Sequence, residues 1–303
     1  MNEWQFERKG SRLGQLLLAV RRWNIQRGIQ EAGLARRRVK FEGVRFHYYE
    51  SRAGKPPLVL LHGFLDSANT WRKLFPLLEP HFDLYALDLP GSGETRLAPV
   101  RELWNLPNMA RMTARFLHEH LGLRGATVLT HSMGGLFALH IHEYLRSQKR
   151  EPLFGSMHLI APGALKLPPE QRDATRRNLY PGSTQEIREL LKKIYYKEIP
   201  EIPELVLGGF LREWSAIGNY YLAENTVEQE DAAFFQPPRL RALRIKPVFY
   251  WGKDDGVTLL KWGRQLKNAI PGSKLHVFDE AGHGLHLEKP REFFEKFRKE
   301  AKF

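Results

Sequence analysis

Short, mostly apolar runs alternate with stretches of helical periodicity along most of the chain. Each run is only four or five residues long, as expected for strands that are buried on both faces. The runs lie at 58–61, 84–87, 126–129, 157–160, 247–251 and 274–278. Apolar residues at helical spacing lie between or after them, at 70–78, 106–121, 136–141, 259–268 and 291–299. This alternation predicts an α/β domain with a mostly parallel sheet and helices on both faces.

The predicted core consists of two segments of the chain. It opens with a β-hairpin, because strand-like runs at 39–41 and 44–50 flank Glu42 and Gly43, a pair that suits a tight turn. The alternation of strands and helices then continues to residue 162, stops, and resumes at residue 246. We therefore assign 39–162 and 246–303 to the core.

Residues 163–245 have helical patterning and no clear strand. A capping box, Ser183 with Glu186, begins one of these helices. The segment is too long for a loop, so we expect a helical cap, or lid, over the edge of the sheet where open α/β sheets bind ligands. It contains many aromatic residues and has twelve basic against twelve acidic residues, a composition that suits an apolar substrate.

The N-terminal segment, residues 1–38, is basic and amphipathic. Residues 1–40 contain ten Arg and Lys against three Glu, over half of the net charge of +13. Large apolar residues recur there at helical spacing. They are Leu13, Leu16, Leu17, Val20 and Trp23. Two interpretations remain open: residues 10–38 bind an anionic membrane surface as an interfacial helix, or the helix packs on its own domain with solvated arginines.

The composition of the chain narrows the kinds of site, location and partner to expect. The 303 residues include no cysteine, which excludes disulfides, a thiolate nucleophile and Cys-based metal sites and is compatible with a reducing compartment. No apolar run approaches the roughly 20 residues that cross a bilayer, and 1–10 lacks a signal-peptide core. We expect a cytoplasmic protein, free or peripheral on a membrane. No nucleic-acid motif accompanies the basic charge, so nucleic acid is not an expected partner.

Candidate chemistry centres on the stretch Thr130-His-Ser-Met-Gly-Gly135, which must turn from strand into helix. Such a turn lifts Ser132 clear of the sheet, where a base can reach its hydroxyl. The Met133 N–H at the helix start can stabilise a developing oxyanion. Thr130 occupies the place of the first glycine in the usual Gly-x-Ser-x-Gly pattern.

Two other strand ends carry polar side chains for which a structural role is favoured. Gly63 allows a bend that presents the Phe64 N–H as a second oxyanion donor, and His62 before it suits a loop-holding hydrogen bond. Asp88 precedes a glycine-rich turn, where its carboxylate can accept from backbone donors. Gly91-x-Gly93 alone is weak evidence for nucleotide binding.

A serine follows one predicted strand, a carboxylate follows a later one and a histidine follows the last, and the ends of these strands meet at one edge of a parallel sheet. With His62-Gly-Phe64, the Trp251-Gly-Lys-Asp-Asp255 run and Ala281-Gly-His283, the chain resembles the α/β-hydrolases from about residue 39 to 299. The resemblance implies that fold and a triad of Ser132 as nucleophile, His283 as base and Asp255 as its orienting acid, without a cofactor. Asp254 is an alternative to Asp255 as the acid, and His286 is an alternative to His283 as the base. The family pattern favours Asp255 and His283.

The resemblance also implies the reaction class. A serine nucleophile argues against the family's dehalogenases and epoxide hydrolases, which use aspartate. The predicted lid, with 181–186 and 203–210, is similar to that of membrane-associated monoacylglycerol lipases. We expect a carboxylesterase or lipase that acts on monoacylglycerol-like esters through an acyl-enzyme. A carbon–carbon bond hydrolase and a non-catalytic ligand-binding homologue of the same fold remain alternatives.

Overall fold

The computed structural model describes residues 9–303, in which eight β-strands form one sheet in the order β1-β2-β4-β3-β5-β6-β7-β8. The strands are β1 (Ala35–Phe41), β2 (Val44–Glu50), β3 (Pro57–Leu61), β4 (Asp83–Leu87), β5 (Ala126–His131), β6 (Phe154–Ile160), β7 (Val248–Gly252) and β8 (Lys274–Phe278). The β1–β2 and β2–β4 pairs are antiparallel, and the other pairs are parallel. The expected α/β-hydrolase fold, a mostly parallel sheet opened by a hairpin, is thereby confirmed.

Helices cover both faces and fill the segment between β6 and β7. Those outside that segment are α1 (Arg12–Glu31), α2 (Phe75–Leu78), α3 (Leu106–Arg115), α4 (Met133–Ser147), α11 (Leu260–Ala269), α12 (Leu285–Glu288) and α13 (Pro290–Ala301). Between β6 and β7 lie α5 (Pro169–Leu179), α6 (Thr184–Ile194), α7 (Glu204–Trp214), α8 (Ile217–Glu228), α9 (Glu230–Ala233) and α10 (Pro237–Ala242). A 3₁₀ helix spans Ala68–Lys73, and a π-helical turn extends α3 over Phe116–His120.

The central strands are continuous apolar runs because both of their faces are buried. All side chains from Leu58 to Leu61 are fully buried, as are Val128 and Leu129 in the neighbouring strand. Helices on each side of the sheet exclude water from these strands, so no polar face is needed. This pattern made the core strands predictable from the sequence.

Strand β1 begins at Ala35, four residues before the predicted start at Val39. Its charged first half is stabilised by ion pairs: Arg37 with Glu50, and Arg36 and Arg38 with Glu94. Three consecutive arginines do not form an apolar run, so the sequence pattern could not reveal this half of the edge strand. These arginines belong to the sheet and not to the N-terminal helix.

The N-terminal helix is present, and it packs on the protein. Gly14, Leu18, Gln26 and Ile29 form its buried face, which contacts α7 and Ala68–Lys73. Residues 1–8 of the predicted basic segment lie outside the described residues. Among residues 9–303, none of the helices combines the length and apolar character of a membrane span.

Candidate active site

Ser132 occupies a strained position between β5 and α4. Its backbone angles are φ 52° and ψ −118°, a positive-φ conformation that a residue with a Cβ adopts only when its surroundings enforce it. The Ser132 N–H donates to the carbonyl of Ile160 at 2.9 Å, which ties the turn to the next strand. The chain therefore makes the sharp strand-to-helix turn that the sequence predicts.

Two glycines allow α4 to approach the sheet closely behind this turn. A Cβ at Gly134 would lie 2.3 Å from the Leu61 carbonyl oxygen, and one at Gly135 would lie 2.6 Å from the Pro162 Cβ. The Thr130 hydroxyl would lie 3.2 Å from that same Gly135 Cβ. Thr130 fits in place of the usual glycine because Gly135 has no side chain to occupy this space.

Asp255 and His283 form a buried hydrogen-bonded pair. The His283 Nδ1 lies 2.8 Å from the Asp255 Oδ2, and both residues are at most 5% exposed. Asp255 Oδ1 accepts from the N–H groups of Val257 and Thr258, each at 2.8 Å, and the Thr258 hydroxyl donates to Oδ2 at 2.8 Å. Because the carboxylate can only accept, the proton of the neutral His283 ring must lie on Nδ1, which donates to it. The His283 Nε2 is therefore left free to accept a proton.

Ser132 and the neighbours of Asp255 meet at one cavity. This cavity has a volume of about 150 Å³, and Ser132, Met133, Phe64, Val257 and Thr258 all contribute to its wall. Among residues 9–303 the Ser132 hydroxyl has no hydrogen-bond partner, so the serine–histidine link is not closed in this state. Such links are often long before substrate binds.

Two backbone N–H groups border the same cavity. Met133 is the first residue of α4, and its N–H has no acceptor within the helix. The Phe64 N–H likewise finds no acceptor among the residues that the structure describes. Both residues line the cavity beside Ser132, where unpaired N–H groups can bind an oxygen that becomes negative.

The other carboxylate and histidines near these strand ends have different surroundings from the Asp255–His283 pair. Asp254 is exposed to solvent, whereas Asp255 is buried. His286 bonds to the Thr70 hydroxyl at 2.8 Å, and burial lowers its pKa to about 3. His62 bonds to the Gly63 carbonyl at 2.7 Å and accepts from the Leu89 N–H at 3.0 Å, which confirms its predicted loop-holding role.

Asp88 also has the structural role that the sequence predicts. Its carboxylate accepts from the N–H groups of Ala68 and Glu94, each at 2.7 Å, and pairs with His47 at 2.8 Å. A Cβ at Gly93 would lie 2.2 Å from this carboxylate, so the glycine makes room for the turn around Asp88.

Two residues beside the pair were not predicted from the sequence. Thr258 fixes the carboxylate, and its position three residues after Asp255 is a signal for such a turn. The His131 Nε2 lies 3.0 Å from the His283 carbonyl oxygen and holds the histidine loop against the turn. Burial is the main cause that lowers the pKa of His131 well below its usual value, so its ring is a neutral spacer. No pattern in the sequence indicates this role of His131, because its partner is 152 residues away.

The cavity wall is mostly apolar. Leucines from α3, α4, α5 and α8 contribute to it, as do Phe234 and Trp262. Its charged members are Arg172 and Arg176, which pair with Glu230 at 3.2 Å and with Glu224 at 3.4 Å. The arrangement can hold an apolar group next to the serine while its two cations are already partnered.

Comparison with known proteins agrees with this geometry. Residues 58–296 match the model of the alpha/beta hydrolase family. The chain is 27% identical over 263 residues to a 2-hydroxy-6-oxo-6-phenylhexa-2,4-dienoate hydrolase of Comamonas testosteroni, which covers 82% of this chain and 87% of that protein. It is 22% identical over 290 residues to monoacylglycerol lipase ABHD6 of Rattus norvegicus, with 91% and 83% covered.

A solved structure gives the same result for the fold. The crystal structure of a membrane phospholipase A that is described as a bacterial virulence factor superposes with a TM-score of 0.77 at 20% identity, covering 96% of this chain and 92% of that one. The family match extends over most of the chain, and the sheet order and the turn at Ser132 fit it. The chain is a member of the alpha/beta hydrolase family.

Proposed function

We propose that this hydrolase is a serine carboxylesterase or lipase that cleaves monoacylglycerol-like esters through an acyl-enzyme intermediate. The observation that carries the proposal is a strained serine that shares an apolar cavity with the surroundings of a buried Asp255–His283 pair. The hydrolase names of the relatives support the general class. The lipase among them supports the ester substrate.

In this mechanism Ser132 is the nucleophile. His283 Nε2 takes the hydroxyl proton as Oγ forms a bond to the ester carbonyl carbon, and Asp255 stabilises the imidazolium. The N–H groups of Phe64 and Met133 bind the oxyanion. His283 then protonates the departing alcohol as the carbon–oxygen bond breaks. A water then gives its proton to His283 as its oxygen bonds to the acyl carbon. When the resulting tetrahedral intermediate breaks its bond to Oγ, the proton returns from His283 to Ser132 and the acid is released.

The charges around the cavity favour a neutral substrate. Arg172 and Arg176 are the charged side chains of its described wall, and each faces a glutamate of the same helical segment. An anionic substrate such as a dienoate would have to displace these glutamates from their arginines. A carbon–carbon hydrolase is therefore the second candidate, supported by the relatives but disfavoured by this pairing.

Two further features complete the proposal. Residues 163–245 act as the lid, because their helices supply much of the cavity wall above Ser132. The N-terminal basic helix gives the enzyme a peripheral attachment to an anionic membrane. This contact would bring the catalytic cavity to the lipid phase in which such substrates reside.

The test is hydrolysis of p-nitrophenyl esters of increasing acyl length, with a dienoate as the competing substrate class. We expect turnover that rises with chain length and then falls when the cavity is full, and no turnover by a folded Ser132→Ala variant. Retained activity in Ser132→Ala would refute the nucleophile. Faster cleavage of the dienoate than of every ester would favour the carbon–carbon hydrolase.

A further inference from the structure

Helix α1 has two apolar faces, and one of them remains exposed. Five large apolar side chains on it are 43–60% exposed. They are Leu13, Leu16, Leu17, Val20 and Trp23. With about 100° per residue, these five lie opposite the buried Gly14, Leu18 and Ile29. We call the five the docking face, because a contiguous apolar surface of this kind marks an interaction site.

The charges beside the docking face indicate an anionic surface as its partner. Arg12 and Arg21 border the face on its two sides, and both are exposed. Within the described chain, neither has a carboxylate at ion-pair distance, whereas Arg22 and Arg27 are paired with Glu213 and Glu31. A second copy of the helix would bring these unpaired arginines together. Anionic phospholipid would neutralise them while its acyl region accepts the apolar side chains.

The opposite face fixes α1 to α7 at two points. Near its start, Gly14 packs so closely that a Cβ there would lie 1.8 Å from the Leu205 carbonyl oxygen. The Ser11 N–H donates to the Gly208 carbonyl at 2.8 Å. Further along, Arg22 forms two hydrogen bonds of 2.7 Å with Glu213. These contacts therefore join α1 to α7 both at its start and further along.

Helix α7 also packs on α6, through a small apolar cluster. Ile187 of α6 packs with Leu207 and Leu211 of α7, and this cluster is separate from the main core. Arg188 adds a hydrogen bond to the Ile202 carbonyl at 3.1 Å and an ion pair with Glu204 at 2.9 Å. The three helices α1, α6 and α7 thus form one packed unit.

The end of α6 holds both loops of the Asp255–His283 pair. The Lys193 carbonyl accepts from the N–H of Gly256 at 3.1 Å, and the Ile194 carbonyl accepts from the N–H of Gly284 at 3.0 Å. These glycines directly follow Asp255 and His283. Glu288 reinforces the contact, because its carboxylate accepts from the N–H of Tyr196 at 2.8 Å and from that of Gly282 at 2.7 Å.

We propose that the docking face of α1 binds an anionic phospholipid surface, and that this binding is coupled through α7 and α6 to the loops that carry Asp255 and His283. The coupling rests on the proposed function. A helix in a protein is stabilised mainly by the packing of its apolar face, so lipid that binds the formed α1 favours the arrangement in which it packs on α7. Lipid binding therefore raises the population in which α6 holds both loops.

The docking face is tested by co-sedimentation of the full chain with vesicles of equimolar phosphatidylglycerol and phosphatidylcholine. Val20→Asp should weaken binding at least tenfold, and Val100→Asp, at an apolar side chain of matched exposure elsewhere, should leave it unchanged. Pure phosphatidylcholine or high salt should weaken binding of the unmodified chain. Equal binding by Val20→Asp and the unmodified chain would overturn the docking face. So would a solution dimer that Val20→Asp dissociates.

The coupling is tested with p-nitrophenyl acetate, which is water-soluble and needs no vesicle for access. Vesicles should raise kcat severalfold in the unmodified chain and in Gly28→Ala, whose Cβ meets open space. Gly14→Ala, on the same helix, should still bind vesicles but lose the increase in kcat, as should Arg22→Gln. An undiminished increase in both variants would overturn the coupling. Ester turnover without any vesicle response would overturn the coupling alone. No turnover under any condition would instead count against the proposed function.

Discussion

The edge of the sheet that carries Ser132 and the α1–α6–α7 unit are held together in different ways. At the edge, Ser132, Asp255 and His283 lie on turns that follow buried strands and that pack closely against glycines. The three-helix unit has a small cluster of its own and meets the edge through backbone hydrogen bonds at the end of α6. The edge thus fixes the positions of these three side chains. In our proposal, the three helices transmit to this edge a contact that is made at the surface.

Among the variants that keep Ser132, the largest effect should come from a change at Asp255. Asp255→Asn keeps the shape of the side chain but removes the charge that stabilises the His283 imidazolium, and kcat for a p-nitrophenyl ester should fall by about 10⁴-fold. Asp254→Asn, one residue away and exposed, should retain most of the activity. Comparable losses in the two variants would contradict the assignment of the acid.

Acid should destabilise the folded chain through two histidines that are buried in and beside the sheet. Burial lowers the pKa of His140 and His158 to about 4. The unfolded chain takes up a proton at each near pH 6.5, and the native chain does so only near pH 4, so the unfolded state binds more protons between these values. The free energy of unfolding should therefore fall as the pH drops from about 6.5 to 4, by about 3 kcal/mol for each residue.

Denaturant titrations across this range check the slope. His140→Gln keeps a donor for the Ala233 carbonyl but cannot titrate, so its stability should fall less steeply with decreasing pH. The carboxylate of Glu94 should contribute only at lower pH. Burial acts to raise its pKa, but hydrogen bonds from Arg38 and Arg36 dominate and bring it to about 2. Parallel slopes for the variant and the unmodified chain would show that His140 is not responsible.

A smaller effect on the free energy of unfolding should distinguish a closely packed glycine from one that borders open space. Gly134→Ala places a Cβ 2.3 Å from the Leu61 carbonyl oxygen and should lower the free energy of unfolding by about 1–3 kcal/mol. Gly28→Ala, in the exposed part of α1, meets nothing within 4 Å and should raise it by up to about 1 kcal/mol. Thermal or urea unfolding distinguishes the two. A destabilised Gly28→Ala would show that α1 is less helical than described.

The same contrast explains what the sequence could predict. Strands buried on both faces must be apolar, so β3 to β7 were visible as runs, and the order of their ends placed Ser132, Asp255 and His283 at one edge. The charged half of β1 was hidden, because Arg37 is paired across the sheet with Glu50 and that partner cannot be read from periodicity.

The helical segment shows where sequence reasoning ends. Its existence followed from 83 residues without a strand, but the pattern did not give the bounds of its helices, such as the break between Trp214 and Ile217. The contacts of Lys193 and Ile194 with the loops that carry Asp255 and His283 use backbone carbonyls, which leave no signature in the side chains. The two faces of α1 gave one apolar pattern, and only packing on α7 separates the buried face from the exposed one.

The most direct test of the central claim is covalent labelling with a fluorophosphonate, followed by mass spectrometry of the modified peptide. The account predicts a single labelled residue, Ser132, with labelling lost in Ser132→Ala and strongly slowed in His283→Ala. Both variants should keep the native fold by circular dichroism. Labelling at another residue, or ester turnover by a chain that the probe does not label, would contradict it.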